Sequence, residues 1–245
     1  MEFIMKKIIA VSLLSLVSST AIAGVESLYV SGKMGASIVQ VSNQKWLTSD
    51  NEFEKTNLGN THDSVFGGNI AVGYDFAKTT KLPIRTELEF GMREKASTNH
   101  NLESFNDPGV LSSSDDVKTD ITLNTVMVNT YYDFKNATKF TPYVSVGLGM
   151  ASINHKMRYD YNEHIVSLNQ FTHEQYTQSK TTNNFAWSVG LGSQYRVNNH
   201  FSLDMGYRFL DAGKSEANYY ADDQKNTSKV KVRSHDIMFG VTYRF

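Results

Sequence analysis

The sequence predicts an all-β protein, an eight-stranded antiparallel β-barrel that spans a membrane. Three observations support this prediction: eight segments alternate apolar and polar residues, their connections alternate in length, and the last segment ends on an aromatic residue. In that last segment one face of a strand is apolar and carries Ile237, Phe239, Val241, Tyr243 and Phe245. An apolar strand at the end of a sheet needs a neighbour on each side, and barrel closure provides both.

The eight predicted strands follow one another with a regular change of connection length. They cover residues 28–38, 66–76, 84–93, 121–134, 143–150, 185–196, 201–209 and 235–245. The long polar connections cover residues 43–63, 95–117, 154–182 and 211–229, and the other three connections are short. Aromatic residues gather at the short-turn end, as an interfacial girdle requires. This arrangement predicts three periplasmic turns and four extracellular loops.

The fourth strand departs from strict alternation. Val128 and Tyr132 share one parity, whereas Ile121 and Leu123 share the other. A change of parity within a strand is typical of a β-bulge. The sequence therefore predicts either a bulge here or a strand that has left the membrane.

The N-terminal segment has the pattern of a secretory signal peptide. Lys6 and Lys7 precede an apolar run over residues 8–17, and the small-residue triplet Ala21-Ile22-Ala23 follows. The apolar run is shorter than the ~20 residues that a spanning helix needs. We therefore expect a signal peptide at residues 1–23 and a single outer-membrane barrel domain at residues 24–245.

The composition excludes several classes of protein. The chain has no cysteine, so it has neither disulfides nor thiol chemistry. Twenty-four basic and 25 acidic residues give a net charge of −1, which argues against a general nucleic-acid partner. We predict no metal and no cofactor, because the seven histidines lack the spacing of a metal site.

The polar parity of the predicted strands carries equal numbers of cations and anions. The cations are Lys33, Arg85, Arg93, Arg196, Arg208 and Arg244, and the anions are Asp75, Glu87, Glu89, Asp133, Asp204 and Asp236. In a soluble barrel such residues would face water, whereas in a narrow transmembrane barrel they fill the lumen and must pair. We predict a network of ion pairs inside the barrel that leaves no wide pore.

The last strand also resembles the assembly signal of bacterial outer-membrane barrels. Phe239, Val241, Tyr243 and Phe245 provide its alternating apolar residues and terminal aromatic. This resemblance implies recognition by the barrel-assembly machinery.

Further motifs resemble a known family. R-T-E-L-E-F at residues 85–90, T-P-Y-V-S-V-G-L-G at residues 141–149 and the Y-R-F ending are similar to the opacity and OmpA-like small barrels. The likeness is closer to the Tia, Hek and heat-resistant agglutinin group of Escherichia coli. It implies an outer-membrane adhesin or invasin of a Gram-negative bacterium. Such a protein attaches to host cells, agglutinates or autoaggregates through its loops, and binds host-cell proteoglycans such as heparan sulfate and heparin.

A candidate glycan site lies in the cationic parts of the long connections. Its residues are Lys225, Lys229, Lys231 and Arg233, with Lys156 and Arg158 near them only if the loops fold over the barrel mouth. Alternation places Lys229, Lys231 and Arg233 on the parity of the lipid-facing residues. An equally good interpretation is that these cations bind lipopolysaccharide phosphates at the rim.

Enzymatic interpretations are weaker. His62-Asp63-Ser64 cannot form a catalytic triad on a strand, because neighbouring side chains point to opposite faces, and the same holds for His235-Asp236. An outward-facing histidine with a serine from another strand could still modify lipid A. Three function classes remain: an adhesin or invasin, a passive structural or lipopolysaccharide-binding barrel, and an enzyme, of which the first is the prediction.

Overall fold

A computed structural model describes residues 25–48, 54–221 and 224–245. The strands are β1 (Leu28–Thr48), β2 (Glu54–Asp75), β3 (Ile84–Arg93), β4 (Ala96–Asp107), β5 (Leu111–Asp133), β6 (Phe140–Ile165), β7 (Gln170–Arg196), β8 (Phe201–Ala221) and β9 (Gln224–Arg244). Two short 3₁₀ turns, Val25–Ser27 and Val166–Leu168, complete the described elements. The predicted signal peptide lies outside the described residues and stays a prediction. None of the described helices is long and apolar enough to cross a membrane.

The strands form one closed antiparallel ring. Their order is β3-β2-β1-β9-β8-β7-β6-β5-β4, and an additional pairing of β3 with β5 closes the ring. Strands β3 and β4 both pair with β5 and are separated only by Glu94 and Lys95, so together they occupy one position. The predicted eight-strand barrel is therefore confirmed, with one strand interrupted.

The segments predicted as long loops are largely strands. The β6–β7 hairpin is paired without a register shift from Phe140↔Tyr195 to Ile165↔Gln170, so the prediction of a loop over residues 154–182 is wrong. These segments are mostly polar, and only a few of their apolar residues, such as Val117 and Met157, are buried. Backbone pairing in a hairpin needs no apolar face, which explains why the alternation pattern did not show these extensions.

A belt of exposed apolar side chains surrounds the barrel. It includes Met34, Ile70, Leu88, Phe90, Val128, Val146, Leu148, Val189, Leu191, Met205, Ile237 and Phe239, all more than one third exposed. Toward the outside the belt ends near Phe66, Met92, Met150, Phe185 and Phe209. At the short-turn end aromatic pairs such as Tyr74–Phe76, Tyr132–Phe134 and Phe201–Tyr243 form the predicted girdle. This belt is the surface that faces lipid.

The interior changes character along the barrel axis. Within the belt it is polar, but above the belt it is filled by an apolar cluster that includes Val39, Ile121, Leu123, Ile153 and Val232. Strand β5 pairs with β6 without any register shift, so no bulge explains the parity of Ile121 and Leu123. They point inward where the strand has left the membrane, the second of the two predicted explanations.

Above the belt the ring divides into two four-stranded sheets. Strands β7 and β8 pair only from Trp187↔Asp211 to Arg196↔Ser202, and β2 pairs with β3 only over Gly67–Asp75. One outer sheet therefore contains β4–β7 and the other contains β8, β9, β1 and β2. Between β7 and β8, Asn184 Nδ2 donates to the carbonyls of Ala212 at 3.0 Å and Lys214 at 2.8 Å.

Candidate functional site

The lower part of the lumen contains two cations and two anions. Arg85 donates to both carboxylate oxygens of Asp133, at 2.8 and 2.9 Å. Glu87 lies 3.5 Å from Lys33 Nζ and 3.9 Å from Arg85, and the Tyr131 hydroxyl donates to it at 2.8 Å. Because the four charges cancel, this group is neutral as a whole, as burial in a narrow lumen requires.

The upper part of the lumen contains a second neutral group. The carboxylate of Asp236 is fully buried and accepts from Arg93 Nη2 at 2.5 Å and Arg208 Nη2 at 2.9 Å. Arg208 also donates to Glu89 at 2.5 Å, and the Ser234 hydroxyl donates to Asp236. Asp236 thus joins two guanidinium groups that come from different strands of the ring.

Four of the twelve predicted network residues have other surroundings. Asp204 accepts from the Tyr143 hydroxyl at 3.0 Å, and Arg244 donates to Ser202 and Gln194 at 2.6 and 2.7 Å. Asp75 accepts from the Ala77 amide at the first short turn. Arg196 is exposed at the short-turn end. Hydrogen bonds with neutral groups thus take the place of ion pairs for Asp204, Arg244 and Asp75.

Three tyrosines complete the lumen and were not among the predicted site residues. The Arg85 guanidinium lies 4.6, 5.5 and 5.9 Å from the ring centres of Tyr131, Tyr143 and Tyr29. Rings at this distance stabilise a guanidinium through cation–π attraction. All three tyrosines lie on the polar parity of their strands, and this signal could have identified them.

Buried side chains fill the lumen over the part of the chain that the structure describes. The space between the two charged groups is a cavity of about 30 Å³ lined by Lys33, Glu89, Tyr131, Tyr143 and Arg208 among others. A cavity of this size holds about one water molecule. Above it the apolar cluster fills the barrel. The chemistry that this protein presents to its surroundings therefore lies on its outer surfaces.

Four cations gather on the outer surface just above the lipid-facing belt. Lys229, Lys231 and Arg233 point outward from β9, and Lys214 of β8 pairs in register with Lys231. We call Lys214, Lys229, Lys231 and Arg233 the outer cationic patch. Lys214 was missed because the sequence placed residues 211–229 in a loop. In the structure a bulge between Asp211 and Gly213, where Gly213 has φ +86°, turns this side chain outward from β8.

Two carboxylates partly neutralise the patch. Asp211 accepts from Lys231 at 3.0 Å and Arg233 at 3.2 Å, and Glu216 lies 3.2 Å from Lys229. The Gly213 amide also donates to Asp211, at 3.1 Å. The patch keeps an excess of two positive charges, and Lys214 is exposed.

The other predicted glycan residues do not join the patch. Lys156 and Arg158 lie on β6, separated from β9 by β7 and β8 in the ring. Arg158 donates to Asp160 at 2.9 Å. The side chain of Lys225 lies outside the described residues. The structure therefore groups three of the six predicted cations and adds Lys214 to them.

The residues predicted as an assembly signal lie on the outer face of β9 and at the short-turn end of the barrel. Phe239 and Val241 face lipid and are about half exposed. Tyr243 packs edge-to-face against Phe245 at 5.2 Å and beside Phe201 at 5.0 Å. Recognition by the assembly machinery stays a prediction.

The histidines weighed for catalysis have other partners. His235 lies on the outer face, where its Nδ1 is 2.8 Å from the Tyr207 hydroxyl. Asp63 accepts from the Ser97 amide at 2.9 Å. In the described part of the chain, no group of three acidic or histidine side chains could hold a metal ion.

These features define a transmembrane β-barrel with a closed, charge-paired lumen and extended outer strands. The family model for the outer membrane protein beta-barrel domain matches residues 9–245, and the chain belongs to this family. The protein is therefore an outer-membrane protein of the Gram-negative type, as the sequence predicted.

Individual relatives agree with this assignment. The chain is 35% identical to the outer membrane protein PagN of Salmonella typhimurium over 98% of this chain and all of that one. It is 28% identical to a Rickettsia conorii protein named "Putative adhesin", over 73% of this chain and 62% of that one. Among solved structures, OprG of Pseudomonas aeruginosa has a TM-score of 0.50 at 14% identity, over 90% of this chain and 98% of that one, and supports the fold.

Proposed function

We propose that the protein is an outer-membrane adhesin that attaches the bacterium to animal cells and agglutinates cells through its outer strands. The closed lumen supports this proposal, because a barrel without a pore acts through the surface it presents. Relatives named as adhesins support it as well. We also propose that the protein is a member of the Tia, Hek and heat-resistant agglutinin group and that it has no catalytic role.

The outer cationic patch is the surface that we assign to sulfated glycans of the heparin and heparan sulfate type. It holds four cations on one outward face, two of them in cross-strand register. Sulfate groups repeat along such a glycan and carry fixed negative charge, so several weak contacts add along the chain. The side chains of Lys229 and Arg233 are 41% and 37% exposed, so both are accessible to a large ligand.

Lipopolysaccharide is a second candidate ligand for the same patch, and one observation favours it. Arg233 lies only two residues above His235 and four above Ile237, which faces lipid. This height is where the phosphates of an outer-leaflet lipid would lie. Lys214 and Lys229 lie farther from the belt, and the glycan proposal depends mainly on them.

The expected result for purified barrel in micelles is salt-sensitive binding to immobilised heparin. Affinity should fall about tenfold or more between 50 and 200 mM salt, because exposed charges are screened over about a Debye length. Replacing Lys214, Lys229, Lys231 and Arg233 with glutamine should remove most of the binding. The matched control replaces four exposed cations at the short turns, Lys78, Lys81, Lys135 and Lys139, and should bind as the wild type does.

The carboxylates of the patch allow a test of opposite sign. Replacing Asp211 with asparagine keeps an acceptor for the Gly213 amide but releases Lys231 and Arg233, so heparin affinity should rise. Added lipopolysaccharide that competes with heparin would show that both ligands use the patch. Full heparin binding by the patch variant would contradict this site, and no binding by the wild type would contradict the glycan proposal.

A further inference from the structure

The distal half of β7 presents an open strand edge. On one side β7 pairs with β6 along its whole length, but its pairing with β8 begins only at Trp187. Over residues 170–181 no strand of the described chain pairs with its other side. Residues 173–181 are exposed, so this half of β7 projects from the barrel as the edge of the outer β4–β7 sheet.

The backbone groups at this edge can be assigned from neighbouring hydrogen bonds. The Arg196 amide donates to Lys139 O on the β6 side, and the Val197 amide donates to Phe201 O on the β8 side. Along a strand, the backbone amide and carbonyl groups of successive residues point alternately to one side and to the other. This alternation continues through β7, because β7 has no register shift against β6. The odd-numbered residues therefore direct their amides and carbonyls to the open edge. They are His173, Gln175, Thr177, Ser179 and Thr181.

This edge lacks the features by which proteins usually prevent strand addition. Residues 170–181 contain no proline, no glycine and no bulge, and their fixed charges are one acid, Glu174, and one base, Lys180. A long, straight edge of low net charge is a template for another strand. Its Thr- and Gln-rich composition keeps it soluble without blocking its backbone groups.

The edge is complementary to itself. In an antiparallel pair of two copies, only odd residues can bond to odd residues, so Thr177 can lie opposite Thr177 of the second copy. This register places Glu174 opposite Lys180 of the second copy, and the converse, at positions that are not hydrogen-bonded and where side chains lie closest. If the register between the two β7 strands shifts by two residues in either direction, both ion pairs are lost. We propose that the β7 edge pairs antiparallel with the β7 edge of a second copy of this protein.

The direction of β7 determines where the second copy is. In every copy β7 runs from the extracellular tip toward the short-turn end, so two copies in one membrane would present parallel edges. Antiparallel pairing requires barrels of opposite orientation, as on two facing membranes. Thr177 lies eight residues beyond Phe185, about 26 Å along the strand at ~3.3 Å per residue, so the membranes would be at most about 50 Å apart because barrel strands are tilted. The pairing joins cells, and it deepens the agglutination part of the proposed function, on which it rests.

Charge reversal tests the pairing in vesicles that carry the barrel and no lipopolysaccharide. Wild-type vesicles should cluster, as measured by dynamic light scattering, and Glu174→Lys or Lys180→Glu alone should reduce clustering about tenfold. A mixture of the two variants should cluster again, because each cation then faces an anion, and so should the double variant. Single variants that cluster like the wild type, or a mixture that stays dispersed, would overturn the proposal.

Cysteine cross-linking tests the register, since the chain has no cysteine of its own. Vesicles with Glu174→Cys, mixed with vesicles with Lys180→Cys, should form disulfide-linked dimers, because directly opposite Cα atoms at such a position lie about 4.5 Å apart. Either variant alone should form none. Dimers of Glu174→Cys with itself would indicate parallel pairing within one membrane and would overturn the proposal.

Heparin binding of the same variants separates this inference from the glycan site. Glu174→Lys should keep wild-type heparin affinity in monodisperse micelles, because the outer cationic patch lies on β8 and β9. Loss of clustering with heparin binding intact assigns the defect to the β7 edge. Clustering without any heparin binding would leave the pairing standing and would contradict only the glycan proposal.

Discussion

Replacing Asp236 with asparagine should destabilise the barrel by about 3 to 5 kcal/mol, the range for removing one member of a buried ion pair. Asp236 is the anion that Arg93 and Arg208 share in a lumen whose cavity has room for about one water molecule. Its loss leaves two guanidinium groups with Glu89 as the remaining anion of the group. Urea unfolding in lipid vesicles, followed by tryptophan fluorescence, measures the change.

A compensating double variant separates charge imbalance from lost packing. Replacing Arg93 with methionine together with Asp236 with asparagine removes one charge of each sign and leaves the Arg208–Glu89 pair. This variant should recover most of the stability, because volume is kept and no ion is left unpaired. As a control for Asp236→Asn, Glu216→Gln removes the anion of the exposed pair with Lys229. It should lower the free energy of unfolding by less than about 1 kcal/mol. Wild-type stability of Asp236→Asn would contradict the network.

Residue alternation revealed the lumen-facing charges but not their partners. Arg93 and Asp236 lie on β3 and β9, which are not neighbours in the ring. Their contact crosses the lumen and depends on the stagger of the whole barrel, which no local pattern contains. For the same reason the sequence did not show that Asp204 accepts a hydrogen bond from Tyr143 rather than from a cation.

The outer part of the fold was harder to predict for a different physical reason. Alternation identifies strands that separate two environments, but the outer half of β7 has solvent on both faces. Its strand character comes from pairing with β6, a contact between residues distant in sequence. Lys214 lies in a segment predicted as a loop, where β8 continues past a bulge that turns this side chain outward. The open edge of β7 and part of the cationic patch therefore became visible only with the topology.

The apolar interior above the belt contains one ionisable group that the sequence did not single out. His155 is fully buried, and its Nε2 lies 3.4 Å from the Ser228 hydroxyl across the gap between the two outer sheets. Burial lowers the pKa of His155 from its ordinary value of 6.5 to about 4. The neutral imidazole is thus part of the packing that holds the β4–β7 sheet against the β8, β9, β1 and β2 sheet.

The outer sheets should therefore open more easily in acid. Because the pKa of His155 is lower when the outer sheets are closed, the neutral histidine stabilises the closed state fully above pH 6.5. This stabilisation, about 3 kcal/mol in total, is lost as the pH falls toward 4. Hydrogen exchange of the outer halves of β6 and β9 at pH 7 and pH 4.5 measures this loss of protection. His155→Leu removes the titrating group and should make protection less dependent on pH over that range, which separates the histidine from the surface carboxylates. Equal pH dependence in wild type and variant would show that His155 does not control the opening.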